Sequence, residues 1–316
     1  MRLIYFGSGA FGLPTLERLA DGHDVVAVVS QPDKPAGRKR ELTPTPIAAW
    51  AEQRGLPVLK SDDVNTVEFV AQVAGFEPDA SVVIAFGQKL SPELIGAMGR
   101  LAINVHSSLL PKFRGAAPIN WAMIADEPVT GVSVIGLAQK MDAGEIYAVA
   151  ETPIDPRETA GELHDRLAAL GPDCVDRVLA DLEAETLSPI VQDHAAATRA
   201  PKFKKSDGTV DFDQPAAKVR ARVHGLTPWP GCRVTWTSAA LGTAETLILR
   251  RVADHAEAAA ALPGPGVVQR DLKVACGSGV LELLEVQAPG GKTLPFTEFL
   301  KGHPIVAGDL LSPLPG

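Results

Sequence analysis

Residues 101–146, LAINVHSSLLPKFRGAAPINWAMIADEPVTGVSVIGLAQKMDAGEI, read as strand, loop, helix, strand and loop in direct succession. The run Leu101–Val105 is apolar and partly β-branched, and it ends on polar side chains. Side chains alternate along a strand, so Asn104 and His106 share one side and Val105 takes the other. Ligands of open α/β sheets sit outside the carboxyl ends of the strands. An amide and an imidazole at such an end, running into Ser-Ser-Leu-Leu-Pro, therefore mark the rim of a pocket. A basic glycine turn follows (Lys112, Arg114, Gly115), then a helical run from Pro118, a β-branched run Val129–Ile135 and the loop Met141-Asp142-Ala143-Gly144. Singly these features are ordinary. Asn-x-His on a strand is more often a structural pair than a catalytic one, and Asp before Gly is a turn residue that bonds its own backbone.

Upstream the same alternation of β and α repeats. Residues 2–6 (RLIYF) form a strand, Gly7–Gly12 a tight turn, and a helix runs to about Ala20. A strand follows at 24–29, a helix at 47–54, a strand-like piece at Val58, a helix at 64–74 and a buried strand at 80–85. This order predicts an α/β fold, a Rossmann-like doubly wound and mostly parallel sheet with helices on both faces. The turn Gly7-Ser8-Gly9-Ala10-Phe11-Gly12 is a literal G-x-G-x-x-G in the context of a dinucleotide fingerprint. The next strand, however, ends in Ser30-Gln31, with no acidic tip for a ribose hydroxyl, and a tight βα turn needs glycine on steric grounds alone. NAD binding is not expected. Residues 31–46 carry Pro32, Pro35, Pro44 and Pro46 among Lys34, Arg38, Lys39 and Arg40. That is a loop, either simply solvated or a basic arm for an anionic partner.

Downstream come a strand at 146–152, one helix over about 159–184, and a polar, basic stretch at 188–209 without periodicity. A helix at 216–222 precedes short β-rich runs at 232–237, 246–251, 266–267, 272–275 and 280–286. At 316 residues the chain exceeds the usual size of a single core. We place a first domain at 1–189, a linker at 190–206 and a second, β-rich domain at 207–316. The formal charge is −8, so nucleic acid would have to be held by a local basic patch. Residues 205–316 carry eleven basic and eleven acidic side chains, which leaves the excess negative charge to the first domain. Cys174, Cys232 and Cys276 lie far apart, without C-x-x-C spacing, which argues against a disulfide framework or a zinc site. No run approaches the length of a membrane span, and Met1-Arg2 leads directly into a strand. A cytoplasmic protein is expected.

The ensemble decides more than its parts. Asn104, His106, Ser-Leu-Leu-Pro at 108–111, Arg-Gly-Ala-Ala-Pro-Ile at 114–119 and Met-Asp-Ala-Gly at 141–144 together resemble the signature of folate-dependent formyltransferases. Gln31-Pro-Asp-Lys-Pro-Ala-Gly-Arg38 and Thr227-Pro-Trp-Pro230 narrow the resemblance to the methionyl-tRNA branch of that family, and it spans about residues 2–310. The resemblance implies 10-formyltetrahydrofolate as co-substrate, with no tightly bound cofactor and no metal. It implies initiator methionyl-tRNA as partner, no membrane, no DNA and a monomer. It makes Asn104, His106 and Asp142 catalytic, and it gives Ser108, Leu109, Leu110, Pro111, Phe86 and Gly87 to the folate pocket. Loop 31–46 becomes the arm that enters the acceptor end of the tRNA, with Arg38 matching the key arginine and Lys34, Lys39 and Arg40 beside it. The second domain becomes an OB-like barrel that contacts tRNA.

Formyl transfer to an amine passes through a tetrahedral intermediate with negative charge on the formyl oxygen, so donors must face that oxygen. The carboxamide of Asn104 donates in every protonation state, and His106 donates when protonated or in the right tautomer. The attacking amine must lose a proton, and Asp142 can orient His106, accept that proton through water, or both. The leaving folate nitrogen must gain one. A covalent nucleophile is not required. Other functions compatible with the sequence are formylation of an amino sugar nucleotide, hydrolysis of formyltetrahydrofolate and, in other classes, a nicotinamide-dependent oxidoreductase or a non-catalytic RNA-binding protein.

Overall fold

The β/α alternation builds a seven-stranded sheet from β1 (Arg2–Gly7), β2 (Asp24–Ser30), β3 (Val58–Lys60), β4 (Ala80–Ile84), β5 (Leu101–His106), β6 (Val129–Gly136) and β7 (Ile146–Pro153), in the order β7-β6-β5-β4-β1-β2-β3. Strands β1 to β5 run parallel, and β6 is antiparallel to β5. The mostly parallel, Rossmann-like sheet expected from the sequence is present. The computed structural model describes residues 1–37, 40–256 and 264–314. It divides into one unit of Met1–Pro118, Thr130–Thr152 and His164–Ala200, and another of Ile119–Val129, Pro153–Leu163 and Pro201–Gly316.

Register assigns the two faces of the first unit. Phe6 pairs with Val29 and Val83, and Val83 with Asn104, so these four side chains lie on one face. Ile4, Phe6, Ala27, Val29 and Val83 meet Phe69 and Val73 of α1 (Val67–Gly75) and Leu94 of α2 (Pro92–Gly96) in a buried core that also takes in Phe86. Phe6 and Phe86 meet edge to face with centroids 5.5 Å apart. Full burial of each such side chain stabilises by about 1.5–3 kcal/mol. The other face carries Val105, which lies beside Gly171 at the start of the helix Gly171–Glu183. Asn104 and His106 thus continue the Phe6–Val83 face beyond the core, at the carboxyl edge of the sheet.

Several local expectations change. The helix expected over 159–184 is two, Ala160–Ala168 and Gly171–Glu183. Pro172 has no N–H to continue the first helix, and Gly171 sits so close to Thr15 that a Cβ would come within 2.8 Å of its hydroxyl. The loop 31–46 holds a small antiparallel ladder of Lys34–Ala36 with Glu41–Thr43. Its far end is pinned where Thr45 caps the helix Pro46–Gln53 by accepting from Ala48 N, while the two hydroxyls of Thr45 and Ser30 lie 2.6 Å apart. Within 188–209, Ile190 bridges Ile146, and Arg199–Ala200 run parallel to Arg114–Gly115.

In the second unit an antiparallel sheet is formed by β8 (Cys232–Thr237), β9 (Ala244–His255), β10 (Val274–Ala275), β11 (Val280–Gln287) and β12 (Leu310–Pro313), in the order β10-β11-β9-β8-β12. The strand at 310–313 and the short Thr293–Pro295, which pairs β11, were not foreseen. Residues 266–268 bond to both ends of that order: Gly266 N donates to Ala275 O, and Val268 N donates to Asp309 O next to β12. Bridges Val267–Leu310 and Val268–Val274 thereby close the sheet into the expected small barrel. The helix Ala216–Gly225 packs on β9. Its His224 is fully buried, with Nδ1 donating to Pro156 O at 3.1 Å and Nε2 accepting from Val252 N at 3.1 Å. Burial and the neighbouring Arg220 hold its pKa down to about 4. Glu162, hydrogen-bonded by Arg251, is held down to about 2.

Candidate active site

The site is built at the end of β5. His106 is 6% exposed and stands opposite Ser133 of β6. Its Nε2 donates to the carbonyl of Phe113 at 2.9 Å, since a carbonyl can only accept. The other ring nitrogen, Nδ1, faces Asp142 at 3.7 Å from Oδ2. Nδ1 is therefore the ring atom left facing the carboxylate. Asn104 is half-buried two residues back on the same face, between Val83 and Ile135 in register. The structure thus sets His106 against Asp142 and keeps Asn104 on the same strand face two residues before His106.

Asp142 reaches this position from an unfavourable backbone. Its φ of 52° is left-handed, as are those of Phe113 at 61° and Ala85 at 47°. Such a conformation costs a non-glycine residue about 1–2 kcal/mol and needs surrounding contacts to persist. Three contacts hold the loop. Gly115 N donates to Asp142 Oδ2 at 2.8 Å. Gly144 lies against β6 so closely that a Cβ would sit 1.8 Å from Gly136 O. Gln192, 4% exposed, donates its amide to the carbonyls of Asp142 and Gly144 at 2.9 and 2.6 Å. Gln192 lies in the polar stretch read as a linker, and sequence reasoning missed it. Burial was the only signal, and a single glutamine in a polar run does not announce it.

Ser108 is fully buried, with Oγ donating to Lys112 O at 2.7 Å and its own carbonyl accepting from Ser133 Oγ at 2.8 Å. Leu110 N donates to the same Ser133 hydroxyl, and the Leu110 side chain packs with Ile135 and Ile146. Leu109 is half-buried, as is Pro111. The side chain of Phe86 belongs to the core, leaving its carbonyl at the strand end to accept from Ser8 Oγ and Gln31 Nε2 at 3.1 and 3.0 Å. Gly87 follows with φ 86°, beside the Gln31 amide. Lys34 is exposed and donates to Gln31 Oε1 at 2.7 Å, and Arg40 is exposed with φ 53°. Arg38 and Lys39 lie outside the described residues.

The glycine-rich turn has a structural reason. Tyr5 is fully buried beneath it, and its hydroxyl donates to Gly12 O at 3.0 Å. A Cβ on Gly12 would lie 1.9 Å from that hydroxyl. The tip of β2 is occupied by the Ser30–Thr45 contact and carries no carboxylate.

Two family models match the chain, Formyl transferase over residues 1–179 and Formyl transferase, C-terminal domain, over residues 202–304. The methionyl-tRNA formyltransferase of Sorangium cellulosum is 39% identical over 98% of this chain and 99% of its own length. That of Geobacter metallireducens is 40% identical over 96% of each. Among solved structures, the crystal structure of WlaRD, a sugar 3N-formyl transferase in the presence of dTDP and 5-N-formyl-THF, shares the fold. Its TM-score is 0.67 at 13% identity, covering 90% of this chain and 97% of that one. With both family domains matched in order and relatives near 40% identity from end to end, the chain belongs to the formyl transferase family.

Proposed function

We propose that the protein transfers the formyl group of 10-formyltetrahydrofolate to the α-amino group of initiator methionyl-tRNA, as a cytoplasmic monomer. The observation that carries this reading is the His106–Asp142 pair beside Asn104, in a chain that matches methionyl-tRNA formyltransferases over nearly their whole length. Asn104 supplies a donor to the oxyanion of the tetrahedral intermediate. The amine attacks the formyl carbon, a new C–N bond forms, and the bond to folate N10 breaks. The proton lost by the amine passes to His106 Nδ1 or to Asp142, and the departing N10 takes one up. His106 Nε2, tied to Phe113 O, keeps the ring oriented while Nδ1 works. Ser108–Pro111, Phe86 and Gly87 are the residues offered to folate, and Lys34, Arg38, Lys39 and Arg40 to the tRNA. The amino-sugar reading is disfavoured by the basic loop 31–46, and membrane attachment has no support in a chain whose described helices are all too short or too polar to span a bilayer.

The test is direct. Purified protein is incubated with 10-formyltetrahydrofolate and charged initiator tRNA, and formylmethionine is measured after deacylation. A parallel reaction offers an amino sugar nucleotide, and a third contains folate alone. Formylmethionine at catalytic turnover supports the assignment. Formylation of the sugar alone, or release of formate without transfer, overturns it.

A further inference from the structure

We propose that Gln192 and Arg114 are positioning residues that set the reactive geometry of Asp142, an inference that rests on the formyl-transfer reading above. Asp142 sits in a left-handed conformation, and a short loop in that state needs an external template. Gln192 provides one from 48 to 50 residues further along the chain, with its Nε2 donating to Asp142 O and Gly144 O at once. These two carbonyls flank Ala143, so a single amide clamps the loop on both sides of its apex. The orientation of that amide is not arbitrary. Flipped, it would aim an oxygen at two carbonyls and its NH₂ at a guanidinium, which has only donors. Arg114 enforces the productive orientation: Nε and Nη2 both donate to Gln192 Oε1, at 3.2 and 2.6 Å, and Nη2 also reaches His194 Nδ1 at 2.9 Å.

The arrangement is a chain with a direction. The guanidinium fixes the amide, the amide fixes the backbone of residues 142–144, and that backbone fixes the carboxylate. Asp142 Oδ2 then meets Gly115 N, the amide next to Arg114, so the chain closes on itself. Neither Gln192 nor Arg114 touches His106 in this arrangement; both act through Asp142. Groups that orient a reacting carboxylate from behind commonly carry tenfold to hundredfold effects.

Gln192→Glu is the informative variant. It keeps an oxygen for Arg114, as a fork-to-carboxylate pair, and replaces the amide donors to Asp142 O and Gly144 O by a second carboxylate oxygen that those carbonyls repel. Expected is a fall in kcat of about tenfold to a hundredfold with KM for both substrates little changed. In an Asp142→Asn background the same substitution is expected to cost almost nothing further, because the residue it positions no longer works. Hydrogen exchange on the folded protein provides a readout that does not depend on formyl transfer: the amide of Gly115 should exchange faster in Gln192→Glu while the amides of β4 stay protected. Full kcat in Gln192→Glu, an undiminished loss on top of Asp142→Asn, or unchanged Gly115 exchange would each overturn the proposal. A parent protein that transfers no formyl group to tRNA but shows the exchange effect would instead remove the functional reading and leave the clamp standing.

Discussion

His106 meets Asp142 through Nδ1, 3.7 Å from Oδ2, with its Nε2 already committed to the carbonyl of Phe113. The distance is longer than a direct hydrogen bond, so in this arrangement the ring faces the carboxylate without bonding to it. Catalytic contacts often tighten only in the loaded enzyme. Asp142→Asn and His106→Asn are therefore expected to lower turnover by about a hundredfold or more. The melting temperature should move little for His106→Asn, whose Phe113 contact is one bond. Near-normal kcat in either variant, measured with formylfolate and charged tRNA, would refute the assignment.

Tyr5 under Gly12 leads to a second expectation. The glycines of the turn make room for a ring already in place, and Ser30 ends β2 without a carboxylate. Calorimetric titration with NAD or NADP should give no binding at micromolar concentrations. Tight binding would return the oxidoreductase reading to consideration.

The arm at 31–46 is anchored at both ends, by Gln31 on Phe86 O and by Thr45 capping the following helix. Substitution within the loop at a residue other than Gln31 and Thr45 should leave those anchors alone. Arg38→Ala is expected to lower kcat/KM for charged tRNA at least tenfold, while folate affinity and melting temperature stay near those of the parent. Arg38→Lys should recover only part of the loss, because charge returns without the planar fork. Equal kcat/KM in parent and Arg38→Ala would reduce the loop to a solvated turn.

His224 gives the second unit an acid limit. Its folded pKa of about 4 lies below the ordinary 6.5, so between those values the unfolded chain binds a proton that the folded one refuses. Stability is then fully present above about pH 6.5 and declines as pH falls toward 4, by up to about 3 kcal/mol from this group. Thermal melts from pH 7.5 to 4.5 should show the decline, and His224→Gln should flatten it. An equal slope in parent and variant would assign the acid sensitivity elsewhere.

Residues 119–129 and 153–163 find their partners far along the chain. Asn120 donates to Gly225 O, Arg220 holds Asp126, and Arg251 holds Glu162. A fragment ending at residue 206 strips all three, and it is expected to melt well below the full chain and to bind hydrophobic dyes. A fragment as stable as the parent would show those contacts to be dispensable.

What the sequence made legible follows from short-range physics. The β-branched runs at 80–85 and 101–105 became strands because nothing nearby competes with their pattern, and Asn104 and His106 fell on one face by alternation alone. The break at Gly171-Pro172 was written in the residues, but an apolar period that continues across it disguised two helices as one. Gln192 was illegible for a different reason. Its importance comes from a hydrogen bond across some fifty positions, and local composition carries no trace of such a partner. The run 266–267 reads as a β-rich fragment in the sequence, whereas the double pairing of residues 266–268 depends on a strand more than forty residues later.

That seam bears on how the protein behaves in a crowded solution. A sheet of five strands in a row would offer two ribbons of unpaired N–H and C=O groups to any passing chain. Here one three-residue segment bonds at both ends of that row, with Val268 N on Asp309 O and Gly266 N on Ala275 O. The closure thus acts as a guard against intermolecular pairing, over and above what it adds to folding. Val268→Pro, which deletes the N–H offered to Asp309, would unfasten one side of the seam, and the damage would show first as self-association on concentration, before any loss of helix or of the first unit's chemistry.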